Sequence, residues 1–549
     1  MLEGFVPWPA DLAAAYRRNG VWEGVTVTEM IERTARALPD KVAVVHGTTR
    51  ISYSELIAQA RRLAGALLDS GIGPRDRVVM QLPNTPTFVC LYLALNYIGA
   101  VPVTALRAHR HAEVRHFISA SGAIAYAIPD RIGDFDYRTM ADEMRAAFPA
   151  LRSILVDGDA RAGQISFDSL LQRSHDDTEL ENRLAAARPD PADVSTMLLS
   201  GGTTSMSKLI PRTHDDYVLN ARLCARVGGF DRATVLGVIL PLGHNYNLAS
   251  PGILGAFHVG GTVVLMRGTD TEEIFSTVVR ERISVIAAAV PLIANWLNAD
   301  VGTRYDLGTL KVVQNGGARL PPELRARLRE RFGCTPQEIY GTAEGLINMT
   351  RLDDPDDVLL HSSGAPVSEL DEIRVVDDES RDVADGEAGE LVTRGPYTIR
   401  GYYNAAEKNA EAFLPGGWYR MGDIVRKHGR YVYTEGRRKD QINRGGEKIS
   451  CDEIENLIFA HPAVKSVVLV AMPDPVFGEK ACACVILKPG AALGFDELVA
   501  FLRTQRIASF KLPERLELMN EFPVSPVGKI LKRQLREMVA EKVLRETAL

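Results

Sequence analysis

Residues 200–208 read Ser-Gly-Gly-Thr-Thr-Ser-Met-Ser-Lys and follow the apolar run Thr-Met-Leu-Leu at 196–199. A strand that empties into such a loop can turn backbone N–H groups, hydroxyls and one ammonium toward a polyphosphate. The spacing is not the GxxxxGK[ST] of a P-loop, and a Gly/Ser/Thr cluster taken alone equally suits a plain turn. Other residues able to do chemistry follow in order: His244, Asn245 and Tyr246, then Glu344, Asp423, Arg437 and Lys529. Any one of them on a loop reads as solvated surface. Their weight comes from occurring together.

The elements that must position them alternate. Apolar strands are expected at 77–82, 235–240, 262–266, 285–290 and 311–314, with helices near 88–98 and 321–332. Repeated strand–helix alternation argues for α/β layers with largely parallel sheets. Ligands of such sheets gather where strands end, which is where the glycine loop lies. From about residue 386 the texture becomes β-rich, with shorter strands and turn residues. After Gly436 the pattern is compact again: helices at 453–461 and 495–506, strands at 464–472, 482–487 and 515–519, then a basic tail. The expected division is therefore 1–436, a large core of layered α/β subdomains with a β-rich subdomain, and 437–549, a small mobile α+β domain. The polar segment 436–440 suits a hinge.

Composition excludes several classes. A length of 549 residues with 46% hydrophobic and 24% charged side chains is that of a globular protein with sizeable cores. The net charge of −6 leaves no basic footprint for nucleic acid. Six cysteines stand without CxxC spacing, so reduced thiols are expected rather than a zinc site or disulfide framework. No apolar run approaches the roughly 20 residues of a membrane helix, and the N-terminal residues lack a leader pattern. A cytoplasmic location is the expectation.

The motifs HNYNLASPG (244–252), QNGGARL (314–320), IYGTAEG (339–345), GWYRMGD (417–423), GRRKDQINRGGEKI (436–449) and PVGKILKR (526–533) follow the glycine loop in order. Together they resemble the adenylate-forming superfamily, and most specifically its stand-alone aryl-acid AMP ligases. The resemblance runs from ISYSEL (51–56) to Lys529. It implies ATP-dependent activation of an aryl acid to aryl-AMP, with release of pyrophosphate. Transfer to the phosphopantetheine thiol of an aryl carrier protein follows, in siderophore or nonribosomal peptide assembly. ATP and Mg²⁺ are the implied cofactors; monomer and homodimer both remain open.

Carried onto this chain, the resemblance implies that Ser200, Gly201, Gly202, Thr203, Thr204 and Lys208 hold phosphates. Glu344 ligands Mg²⁺. Gly317, Ala318, Tyr340, Gly341 and Thr342 flank the adenine, Asp423 accepts from the ribose hydroxyls and Arg437 supports it. Lys529 reaches the acyl carboxylate and α-phosphate. The small domain turns about Lys439 to present Arg444, Gly445, Gly446, Glu447 and Lys448 for the thioester step. The aryl pocket is implied at His244, Asn245, Tyr246, Ser250, Asn315, Gly316 and Ile347.

A buried hydroxyl at Ser250 favours a substrate with a second OH, 2,3-dihydroxybenzoate, since salicylate would leave it unpaired at a cost of roughly 1–3 kcal/mol. Three departures from the family pattern bear on this. Ser205 replaces a glycine, Asn247 a proline and Asn315 a small apolar residue. Two extra amides near the pocket would suit a ring nitrogen, as in 3-hydroxypicolinate. An aryl-CoA ligase and a degenerate binding protein are the competing functions.

Overall fold

A computed structural model describes residues 2–200, 207–299, 301–444, 447–474, 476–505, 507, 509–525 and 530–547. Among the described residues the strands form a nine-stranded and a seven-stranded sheet, two five-stranded sheets and one two-stranded ribbon. Both large sheets are mainly parallel, as the alternation requires. Each strand anticipated at 77–82, 235–240, 262–266, 285–290 and 311–314 is present within a few residues, for instance Val285–Ala288.

Strand β1 (Val194–Leu199) enters the glycine loop and β2 (Leu209–Thr213) leaves it. The two pair antiparallel, with Leu199 opposite Leu209. Below the loop, the Ser200 N–H donates to the Lys208 carbonyl at 3.0 Å, and the Lys208 N–H donates to Ser200 Oγ at 2.9 Å. Helix α1 (His214–Val227) begins at once, with Thr213 and Asp216 forming a reciprocal capping box. Its residues Tyr217, Asn220 and Cys224 recur at i, i+3 and i+7, so they share one buried face.

Short helix α2 (Asn245–Ala249) carries the HNYNLASPG motif, and β3 (Val312–Gly316) ends at the Gly-Gly turn. Helix α3 (Pro322–Phe332) covers the outer face of that sheet. Strands β4 (Thr335–Thr342) and β5 (Gly345–Met349) form a hairpin whose two-residue tip is Ala343-Glu344. Glycine is needed in this hairpin: Gly345 has φ +141°, and a Cβ on Gly341 would sit 2.2 Å from the Leu346 carbonyl oxygen. In the β-rich subdomain, β6 (Trp418–His428) pairs with β7 (Tyr431–Arg437), setting Asp423 opposite Arg437.

After β7 come a 3₁₀ turn, Arg438–Asp440, and the strands Ile442–Arg444 and Glu447–Ile449 of the last sheet. One expectation is corrected there. The segment read as a basic tail is a helix, Lys532–Thr547, that packs on the last sheet through Leu535 and Val539. Its charges hid the stripe: apolar residues at 535, 539 and 543 stand four apart among Arg, Lys and Glu. All six cysteines are buried with free thiols.

Candidate active site

The hairpin tip is gripped from two sides. The Ile399 N–H donates to the Glu344 carbonyl at 2.7 Å, and Arg212 Nη1 donates to the Ala343 carbonyl at 2.9 Å. Arg212 is fully buried, pairs with Asp216 at 2.7 Å and also donates to the Tyr397 carbonyl. Buried guanidinium and carboxylate thus tie the start of α1 to the hairpin. The Glu344 side chain is 7% exposed and its Oε1 accepts from the Tyr402 hydroxyl at 2.8 Å. Lys208 Nζ lies 4.4 Å from the centroid of the same tyrosine ring, a cation–π contact. One phenol therefore brings Lys208 and Glu344 to one place.

A second cluster forms between β4, β6 and β7. The Tyr340 hydroxyl donates to Asp423 Oδ2 at 2.8 Å, and Arg437 Nε approaches Asp423 Oδ1 at 3.3 Å. Loss of water and the Asp423 carboxylate beside it hold the Tyr340 phenol far above its usual range. At Arg437 desolvation is outweighed only by Asp423, Tyr340, Asp440 and Tyr419 acting together, which keep the guanidinium charged. A carboxylate offers acceptor sites on both of its oxygens.

The third cluster is neutral. Ser250 is 1% exposed, and its Oγ accepts from Asn245 Nδ2 at 3.1 Å and from Asn220 Nδ2 at 3.2 Å. Asn245 Oδ1 accepts from the Tyr217 hydroxyl at 2.8 Å. The Tyr246 ring lies against Gly316, where a Cβ would come within 3.0 Å of it. Its hydroxyl is buried without a partner among the described residues. Ile347 is buried in the same apolar cluster as Tyr246 and Cys224. His244 caps α2 by accepting the Tyr246 N–H at Nδ1, and it is exposed.

The geometry bears on three of the residues singled out in the sequence. Asn220 and Asn245 fill the acceptor side of Ser250 Oγ, while its own O–H remains a donor. The two unusual amides also serve the protein. Asn247 Nδ2 donates to the Leu240 carbonyl at 2.5 Å. Asn315 Nδ2 donates to the Ala318 carbonyl at 2.7 Å and to Glu338 Oε2 at 3.0 Å. Side chains alternate along a strand, so Gly316 faces Tyr246 while Asn315 faces α3. There, buried Glu338 pairs with buried Arg325 at 3.0 Å. Asn315 therefore supports the Gly316–Ala318 turn from behind.

Gly317 (φ +86°) and Ala318 are exposed in that turn, beside β4 with Gly341 and Thr342. Thr342 Oγ1 donates to the Gly345 carbonyl at 3.0 Å. Gly201, Gly202, Thr203, Thr204, Ser205, Gly445, Gly446 and Lys529 lie outside the described residues. Lys439 falls in the 3₁₀ turn after β7, and Lys448 pairs through its backbone with Asn443. Arg444 binds Glu514 at 2.9 Å and lies over the Phe477 ring, while Glu447 is exposed. Sequence reasoning missed Arg212, Tyr217, Asn220, Tyr397 and Tyr402. The i, i+3 spacing of Tyr217 and Asn220 after a capping box was the available signal for those two. His214 accepts the Val27 N–H and is pushed down to about 3 by burial, so it is a neutral structural residue.

The match to the AMP-binding enzyme family covers residues 31–403, and its C-terminal domain matches residues 453–529. This chain belongs to the AMP-binding enzyme family. It is 44% identical over 545 residues to a 2,3-dihydroxybenzoate-AMP ligase of Bacillus subtilis, covering 99% of both chains. It is equally 44% identical over 548 residues to a salicylyl-CoA synthase / salicylate adenylyltransferase of a Streptomyces species, covering 98% of both. The apo structure of MbtA from Mycobacterium smegmatis superimposes with a TM-score of 0.73 at 38% identity, over 97% of this chain and 98% of that one. The expected adenylate-forming ligase of the aryl-acid type is thus borne out by family, with its acid left open. Among the described residues no helix is long and apolar enough to cross a membrane.

Proposed function

We propose that this enzyme joins a 2-hydroxyaryl acid, with 2,3-dihydroxybenzoate the first candidate, to AMP and then to a carrier-protein thiol. The observation that carries the reading is the convergence of three clusters on the ends of β3, β4 and β5. One is neutral and lined by Tyr246, Gly316 and Ile347; the other two hold Glu344 with Lys208, and Asp423 with Arg437. The first is suited to an aromatic ring and the others to a nucleotide. Similarity to ligases named for 2,3-dihydroxybenzoate and for salicylate supports the ring class.

In the first step a carboxylate oxygen attacks the α-phosphorus, and the bond to the β-phosphate bridge breaks, releasing pyrophosphate. Anion meets polyanion, so positioning and charge screening decide the rate. Lys208 and the hydroxyls of Thr203 and Thr204 screen the β- and γ-phosphates, and Lys529 bridges the carboxylate and α-phosphate. Asp423 accepts from the ribose hydroxyls, oriented by Tyr340 and Arg437. Glu344 offers a buried carboxylate, a hard oxygen donor of the kind Mg²⁺ takes one or two of before completing its shell with phosphates and water. When bound there, the ion neutralises phosphate charge. In the second step the thiol sulfur attacks the acyl carbon, AMP departs with the former carboxylate oxygen, and the thiol proton passes to solvent. We place the domain boundary at 436/437 and the turn between steps at Lys439.

The test is acid-dependent exchange of pyrophosphate into ATP, with 2,3-dihydroxybenzoate, salicylate, 3-hydroxypicolinate and benzoate in parallel. Exchange with 2-hydroxyaryl acids and little with benzoate is expected. Preference for the pyridine acid would contradict the geometry of Asn247 and Asn315. Similarity to a salicylyl-CoA synthase supports free CoA as a second acceptor, separated by comparing CoA with carrier protein in the thioester step.

A further inference from the structure

Behind the aryl pocket a buried acid stands without a cation. Asp371 is 8% exposed, makes no ion pair among the described residues, and leaves Oδ1 without a hydrogen-bond partner there. Its Oδ2 accepts a short hydrogen bond from the Tyr397 hydroxyl. The Tyr397 oxygen in turn accepts the backbone N–H of Ile347 at 3.2 Å. Tyr397 is wholly buried, and it shares one apolar cluster with Ile347, Tyr246 and Cys224. Its carbonyl also takes Arg212 Nη2, the arginine that holds the hairpin tip at Ala343. The backbone on both sides of Gly345 is therefore referenced to this one tyrosine.

The position is closely fitted. A Cβ on Gly395 would meet Asp371 Oδ1 at 2.0 Å, so the backbone lies directly on the acid. Burial pushes the Asp371 carboxyl up to about 8. Burial raises the Cys224 thiol, and the Asp371 carboxyl and the Ser250 hydroxyl both influence it. An unpaired buried acid is costly to keep, and nothing in the adenylation steps uses it.

We propose that Asp371 is a specificity-positioning residue which, acting through the Tyr397 hydroxyl, fixes the Ile347 wall and so the depth of the aryl-acid pocket. This rests on the reading of Tyr246, Gly316 and Ile347 as that pocket. Only an acceptor facing Tyr397 is required at 371, so an amide can replace the acid. Without the phenolic oxygen, the Ile347 N–H loses its partner and the wall is free to retreat.

The test uses the full-length enzyme with Tyr397→Phe, Asp371→Asn and Asp371→Leu, each checked for its melting temperature. Pyrophosphate exchange gives KM for ATP and for 2,3-dihydroxybenzoate, and kcat/KM for the bulkier 1-hydroxy-2-naphthoate. In Tyr397→Phe, KM for the acid rises about five- to tenfold, the scale of one lost buried hydrogen bond. KM for ATP stays within about twofold, and the bulky acid gains relative to the smaller one. Asp371→Asn retains wild-type values, while Asp371→Leu behaves like Tyr397→Phe. Unchanged acid KM and ranking in a folded Tyr397→Phe would overturn the proposal, as would equal losses for acid and ATP. Wild-type enzyme without exchange on any aryl acid would instead sink the functional reading, and this proposal with it.

Discussion

Asp423 and Ser250 are buried to a similar degree, 6% and 1% exposed, yet they meet opposite kinds of partner. Asp423 is an ion held between a phenol and a guanidinium, at the edge of a strand pair. Ser250 is a neutral hydroxyl held by two amides, one of them on a helix about 30 residues earlier in the chain. The contrast reflects the proposed ligands. A nucleotide brings charge and hydroxyls that reward fixed ions, whereas an aromatic ring rewards a dry wall with few, well-placed polar atoms. It also predicts that substitutions on one side raise KM for one substrate and spare the other.

The largest effect is expected where both substrates meet. Glu344→Ala should lower kcat for pyrophosphate exchange by on the order of a hundredfold or more, with the fold kept by the Ile399 and Arg212 contacts to the hairpin backbone. A loss under about threefold would remove Glu344 from the phosphate side. Asp423→Ala should come next, raising KM for ATP by about ten- to a hundredfold through loss of charge-assisted hydrogen bonds, with KM for the acid nearly unchanged. Equal rises in both constants would erase the contrast.

Asn220→Ala sharpens it from the other side. Removing one of the two donors on Ser250 should raise KM for the acid about fivefold and leave KM for ATP in place. The smallest effect belongs to Asn247→Ala. Its amide faces the Leu240 carbonyl, so stability should fall by about 1 kcal/mol in urea titrations, while the ranking of acids shifts less than about twofold. A reversal of ranking would return Asn247 to the pocket.

The two sides were not equally legible in the sequence. The parallel α/β layers followed from strand–helix alternation, and Glu344, Asp423 and Arg437 stood out through the ordered motifs that carry the family resemblance, since each alone reads as solvated surface. Tyr217, Asn220 and Tyr397 gave no such sign. A buried neutral residue looks like any core or helix-face residue until the chain folds back on it. Asn315 was hard to read for a related reason: its neighbour Gly316 lies against Tyr246, and strand alternation turns Asn315 to the other side toward Glu338. The helix Lys532–Thr547 was hidden because its apolar stripe is narrow among dense charges.

The central claim is attack of an aryl carboxylate on the α-phosphorus, followed by release of AMP from the acyl carbon. The most direct measurement supplies 2,3-dihydroxybenzoate labelled with ¹⁸O in both carboxylate oxygens, lets the thioester form on a carrier-protein thiol, and weighs the products. The account predicts one ¹⁸O in AMP and none in pyrophosphate. Unlabelled AMP, or label in pyrophosphate or phosphate, would contradict it.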